Sequence, residues 1–286
     1  MNTKRLTGLT LAGMLLAGTA APAAFAMESD TFAGDAQEAT PVVSVRVEDK
    51  DPADGVCTGT AIGEHWVITA RHCVEAAKKL GGSVRTGQGD EQKVYEVDRW
   101  EIAPRGDIAL AHTAQPMQLD HFADIADAVP SGDVTLYGWS SDGVGGSTKL
   151  PSAAGKVEGE SPLALFEAPT ALQVNLQNGA RIQPGDSGGP IFKDGKVAAI
   201  MSAGLFEDPD NPKEEELTSN GAVAVAPVAD QVAWIRETIS QPEADQAAMQ
   251  GEASGLWWKI AAGAGALVVF AALAMASARN RKAPLD

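Results

Sequence analysis

The strongest constraint on the fold is the spacing of short β-branched runs between turn residues. Val42-Val43-Ser44-Val45-Arg46-Val47, Trp66-Val67-Ile68-Thr69, Val134-Thr135-Leu136-Tyr137, Val197-Ala198-Ala199-Ile200 and Ala222-Val223-Ala224-Val225 are separated by Gly, Pro and Asp punctuation. Runs this short fit strands and not a parallel α/β sheet with its long crossover helices, so the pattern predicts an all-β sandwich or closed barrels. One helix is expected, over residues 230–240, where Val232, Ile235 and Ile239 fall on one face. The chain carries no internal sequence repeat.

The two ends are expected to lie outside that fold. Lys4 and Arg5, the apolar stretch 6–20 and Ala24-Phe25-Ala26 form the basic, apolar and small-x-small pattern of a signal peptide over 1–26, with an uncleaved anchor as the alternative. At the other end, 256–278 is long enough to span a bilayer at about 1.5 Å per residue. Trp257 and Trp258 suit an interfacial belt, and Arg279, Arg281 and Lys282 place the tail 279–286 in the cytoplasm. A helix without a polar face from 260 to 278 is poorly suited to a soluble domain. The expected order is therefore a signal, an amino-terminal segment or propeptide (27–40), a folded domain (41–240), a polar linker (241–255), one transmembrane helix and a short tail. That order puts the domain outside the cytoplasm and the protein in a membrane.

Charge narrows the partners. The 286 residues hold 22 Lys+Arg and 38 Asp+Glu, a net −16, and the exported part keeps 16 basic and 37 acidic residues, a balance of −21. Phosphate recognition needs clustered cations, so nucleic acid is excluded as a partner. Self-repulsion of this size favours solubility and discourages approach to anionic surfaces. Aromatic residues make up only 5% of the chain, so the core is expected to be built from Val, Ile, Leu and Ala.

Cys57 and Cys73 are the chain's 2 cysteines. An even count in an exported chain favours one disulfide over a metal site or two free thiols, and its short loop gives a stabilisation on the order of 3 kcal/mol. No metal or other cofactor is expected. Gly185-Asp186-Ser187-Gly188-Gly189-Pro190 sets a hydroxyl among glycines that let the backbone turn tightly and a substrate approach. A serine needs a base, and His72 in Thr69-Ala70-Arg71-His72-Cys73 follows an apolar strand. Asp107, at the head of Asp107-Ile108-Ala109-Leu110, is suited to fix the imidazole tautomer, with Asp98 and Asp90 as the nearest rivals. His65, His112 and His121 fall in no such pattern and read as structural or solvated.

These segments, in the order His, Asp, Ser, resemble the trypsin/chymotrypsin family of serine endopeptidases over residues 41–240. The spacing of Cys57 and Cys73 matches the family disulfide beside the histidine, 197–204 resembles the strand lining the specificity pocket, and 234–239 resembles the closing helix. The resemblance implies two antiparallel Greek-key β-barrels with a C-terminal helix, and a site in the cleft between them. His72, Asp107 and Ser187 would form the triad, and the N–H groups of Gly185 and Ser187 the oxyanion hole. Ser202 would support Asp107, Asp186 would sit behind the nucleophile, and the main chain of Ser202, Ala203 and Gly204 would pair with a peptide or protein substrate. The alternative from another class is a membrane-tethered binding or regulatory homologue without activity.

Three features depart from that pattern. Arg181 stands six residues before Ser187, where trypsins carry the aspartate that selects Arg or Lys, so Arg181 is expected either at the pocket floor, favouring an acidic residue, or turned away onto a carboxylate such as Asp186. Gln183 replaces a cysteine of the pocket pair, which predicts a mobile rim. Residues 207–216 form an acidic loop beside the cleft, read as a solvated face. Phe32-Ala33-Gly34-Asp35 is the nearest match to the family's new amino terminus, whose amine would pair with Asp186.

Overall fold

The computed structural model describes residues 27–47, 56–75, 81–89, 92–139, 149–208, 210–217 and 219–241. The signal, most of the linker, the transmembrane segment and the tail lie outside the described residues, as does Asp90. Among the described residues no helix is long and apolar enough to cross a membrane.

Each of the five β-branched runs lies in a strand, and alternation decides which face each residue takes. The first barrel consists of β1 (Val42–Val47), β2 (Val56–Gly63), β3 (Trp66–Thr69), β4 (Gly82–Thr86), β5 (Lys93–Ile102) and β6 (Ala109–Thr113), closed in the order β1-β2-β3-β6-β5-β4. The second uses β7 (Gly132–Tyr137), β8 (Ser152–Glu160), β9 (Leu172–Leu176), β10 (Pro190–Lys193), β11 (Lys196–Gly204) and β12 (Ala222–Pro227), closed in the order β7-β8-β9-β12-β11-β10. The two orders are the same Greek-key pattern, so the topology repeats although the sequence does not. All strand pairs are antiparallel. Each sheet closes on itself, so neither barrel has a terminal edge strand.

The cores follow the predicted composition. Val43, Val45, Val67, Val84, Val97, Ala109 and Ala111 fill the first barrel, with Tyr95 as its aromatic member. Leu136, Val174, Ile191, Met201, Val223 and Val225 fill the second, where Met27 also inserts from outside the strand ladder. Both barrels lie in a compact unit that ends at Val232. A short helix α1 (Arg71–Glu75) follows β3, and the expected carboxyl-terminal helix is a 3-10 turn, Val228–Gln231, continuing as α2 (Val232–Ser240). The disulfide joins Cys57 on β2 to Cys73 on α1, 16 residues apart.

Candidate active site

His72 and Cys73 lie on α1, just past the end of β3, so the disulfide to β2 holds the turn that presents the imidazole. Asp107 immediately precedes Ile108 and β6, which pairs with β3, and the two chain ends therefore open side by side. Asp107 is 1% exposed; its Oδ1 accepts the His72 backbone N–H and its Oδ2 lies 2.8 Å from His72 Nδ1. The carboxylate thus fixes both the backbone and the ring of His72, and a proton on Nδ1 leaves Nε2 as the basic nitrogen. Asp98, a rival for this place, instead holds His112 at 2.7 Å, and His112 stacks on His65, whose Nδ1 faces Thr113 O at 2.7 Å. His112 lies on β6 and His65 in the turn between β2 and β3, both within the first barrel.

Ser187 comes from the second barrel, in the turn that precedes β10. Thr58, beside Cys57, bridges the seam: its N–H donates to Ser187 O at 2.8 Å and its Oγ1 donates to Gly185 O at 2.9 Å. The same Oγ1 accepts the buried Trp139 N–H at 2.8 Å. Gly188 permits this approach, because a Cβ there would sit 2.2 Å from Thr69 Oγ1 and 2.3 Å from Thr58 O, at a φ of +82°. Cys73 Sγ lies 3.9 Å from both Ser187 O and His72 Nε2, so base and nucleophile meet across the disulfide. Ser187 Oγ is not hydrogen-bonded to His72 in this structure. Among the described residues, the N–H groups of Gly185 and Ser187 donate to no protein acceptor, as an oxyanion site requires.

Asp186 is fully buried behind the nucleophile, where its Oδ2 accepts the Gln183 N–H at 2.8 Å and its own N–H donates to Gln183 O at 3.1 Å. Gln183 therefore belongs to a turn closed by two hydrogen bonds. Phe32 is bridged to Pro151 and half exposed.

A cleft of about 160 Å³ opens beside Ser187, with Ile182, Met201, Leu217 and Val223 as its apolar wall and Asn220 and Ser202 as polar lining. Two expectations are corrected here. Arg181 does not line this cleft: its backbone pairs with Glu28, and its guanidinium donates from Nε to Ser219 Oγ and from Nη2 to Ser219 O, both at 2.9 Å, with Glu28 Oε2 at 4.0 Å. The cation is turned away, and the carboxylate nearest it among these contacts is Glu28. Ser202 makes no hydrogen bond to Asp107: its Oγ is buried with no partner among the described residues, and it lies at the shift of the β11–β12 register between Met201 and Ala203. Ala203 and Gly204 do extend past β10, whose first residue Pro190 pairs with Ile200, so their outer edge carries no strand.

The acidic loop forms the outer rim through Leu217. Glu216 is a buried acid within it: its carboxylate accepts the N–H of Glu207 at 2.9 Å and of Lys213 at 3.0 Å, and these bonds hold its pKa below the ordinary carboxylate range. Lys213 pairs with Glu207, which raises the lysine pKa. Thr58, Asn220, Glu28 and Glu216 carry no motif, and only their neighbours in space mark them.

Comparison with known proteins agrees with this geometry. A profile described as trypsin matches residues 32–235. A peptidase of Corynebacterium glutamicum is 28% identical over 185 residues, a match covering 63% of this chain and 62% of that relative's length. Mouse neuropsin, a serine protease of the limbic system, superposes with a TM-score of 0.54 at 21% identity, over 71% of this chain and 96% of the other. An inactivated protease paralogue of the scabies mite superposes with a TM-score of 0.52 at 19% identity, over 72% and 96%. These superpositions speak to fold alone.

Proposed function

The chain belongs to the trypsin family, and from that premise we propose that it is a serine endopeptidase working through Ser187, His72 and Asp107. The observation that carries the reading is the buried Asp107 carboxylate bonded to both the backbone and the ring of His72 beside the Ser187 turn. Ser187 Oγ rotates toward His72 Nε2, gives up its proton there and bonds to the substrate carbonyl carbon, while the carbonyl oxygen takes its charge against the N–H groups of Gly185 and Ser187. Collapse breaks the C–N bond as His72 returns the proton to the leaving amine. A water molecule, deprotonated by His72, then cleaves the acyl-enzyme ester and restores Ser187. Asp107 stays ionised and stabilises the imidazolium of each step.

The apolar wall of Ile182, Met201, Leu217 and Val223 supports an uncharged apolar residue before the scissile bond. In peptides differing only there, Leu should exceed Glu and Arg, and equal turnover of the three would refute this part. The signal and anchor patterns of the sequence support action outside the cytoplasm on a single-pass membrane protein. The other reading, a homologue without activity, draws on the open Ser187–His72 pair and on the fold shared with an inactivated paralogue. A fluorophosphonate probe separates them: covalent labelling of the wild type that Ser187→Ala abolishes supports the protease, and no labelling of either supports the inactive homologue.

A further inference from the structure

The 13 residues between β9 and β10 hold Ile182 of the cleft wall and the nucleophile, yet they belong to no strand ladder. Their first half is gripped from two sides. Ile182 exchanges both backbone hydrogen bonds with Asn220, at 2.8 and 3.0 Å, and Arg181 exchanges both with Glu28, at 2.9 Å each. Behind the cleft three side chains close a ring, with Arg181 Nε donating to Ser219 Oγ and Ser219 Oγ donating to Glu28 Oε2, each at 2.9 Å. Met27, the next residue outward, is 3% exposed and packs in the second barrel's core with Ala180 and Ile182. Further along, Ser152 O accepts from Ser29 Oγ at 2.6 Å and from Thr31 Oγ1 at 2.5 Å, and the Ser152 N–H donates to Thr31 O at 3.1 Å.

We propose that residues 27–31 are a latch that sets the specificity cleft, and that Arg181 is a positioning residue acting through Ser219 and Asn220. The ion pair itself contributes little, because Arg181 and Glu28 are 36% and 48% exposed and 4.0 Å apart. The latch instead draws on the buried Met27 side chain, the paired backbone and the buried Ser219 groups that the guanidinium satisfies. A cut after Ala26 leaves the latch whole, whereas a cut near Phe32 removes it. Residues 27–31 are thereby part of the working enzyme and not a discarded propeptide.

This inference rests on the protease reading for its kinetic arm, and its test therefore carries a second arm that needs no activity. In the full chain, Met27→Asp and Arg181→Ala should each lower the preference for Leu over Gly before the scissile bond by roughly tenfold, chiefly through KM, with fluorophosphonate labelling held within about threefold of wild type. Amide exchange at residues 180–183 and 219–220 should rise by about tenfold or more while β3 and β6 keep their protection. Glu28→Gln keeps the acceptor for Ser219 and should stay near wild type in both arms. Unchanged exchange and preference in both disruptive variants would overturn the latch, as would exchange rising equally throughout the barrels. If the wild type neither labels nor cleaves, the protease reading falls and the exchange pattern alone decides the latch. Should Met27→Asp fail to fold, Arg181→Ala, whose side chain lies outside the barrel core, decides it.

Discussion

Gly138, which follows β7, faces the carboxylate behind the nucleophile. A Cβ at that position would fall 2.1 Å from Asp186 Oδ1 and 2.6 Å from its Cγ. Ordinary contact needs about 3.5 Å, so Gly138→Ala forces the carboxylate back by roughly 1.4 Å. Asp186 is fully buried and its Oδ2 accepts the Gln183 N–H at 2.8 Å, a bond that such a retreat should break. Losing a hydrogen bond to a buried charge costs about 1.5–3 kcal/mol and overpacking about 1–3 kcal/mol, giving roughly 2.5–6 kcal/mol in all. At about 2–4 °C per kcal/mol for a domain of this size, Tm should fall by roughly 5–24 °C. The same displacement moves the Gly185 and Ser187 N–H groups, so fluorophosphonate labelling at a temperature where the variant stays folded should slow by about tenfold or more. Gly63→Ala, whose nearest new contact lies 3.9 Å away at Trp66, is the matched control and should do neither. A Gly138→Ala protein that melts within about 2 °C of wild type and labels at full rate would refute the clamp on Asp186.

Replacing both cysteines, Cys57→Ala with Cys73→Ala, should cost about 3 kcal/mol in denaturant unfolding for a bridge spanning 16 residues; a loss below about 1 kcal/mol would contradict it. Thr58→Val keeps the shape but leaves the buried Trp139 N–H without its acceptor at Oγ1, so a loss of about 1–3 kcal/mol with slowed labelling is expected, and an unchanged melt would argue against the seam described. Because the folded-state pKa of Glu216 is depressed, its contribution is present at neutral pH and is lost as pH falls through that lowered value. Protection of amides 207–216 should therefore fall as pH drops through that lowered value, and Glu216→Gln should weaken protection at neutral pH and flatten the acid response.

The strands of highest apolar density were legible because alternation in a barrel leaves one face invariably buried. Strands such as β2, β5, β8 and β9 had no such run to mark them; in β5, exposed Lys93, Val94, Glu96 and Asp98 interrupt the apolar residues that face inward. His72, Asp107 and Ser187 could be picked out because each sits in a short segment whose local backbone already suits its place. Which of its two expected places Arg181 takes, and that its carboxylate is Glu28 and not Asp186, could not be read, because an offset of six residues from Ser187 gives a position along the chain and not the side from which a distant partner approaches. Glu28 lies more than 150 residues earlier, and only folding brings it beside Arg181. The missing bond from Ser202 to Asp107 was not legible for a related reason, since a side chain's partners depend on how distant strands are set against its own.

The geometry also explains why both cysteines of the chain lie beside the site. From nucleophile to acid the path runs Ser187, Thr58, Cys57, Cys73, His72, Asp107, and three of its links are covalent: Thr58 to Cys57, the disulfide, and Cys73 to His72. The remaining two are the Thr58 N–H to Ser187 O bond and the His72 N–H to Asp107 Oδ1 bond, both 2.8 Å. Base and nucleophile are therefore held in register across the barrel seam even while no hydrogen bond joins Ser187 Oγ to His72. The disulfide does more than limit the unfolded chain, because it ties the first barrel's base to the one residue that grips the second barrel's nucleophile turn. The Ile182 side of the cleft has no such cross-link among the described residues and is held by the backbone pairs of Glu28 and Asn220, the Arg181–Ser219 bonds and the buried Met27, so the two halves of the site have separate supports. A perturbation of one support should leave the other half in place, which is why specificity and covalent labelling can be separated by substitution in this protein.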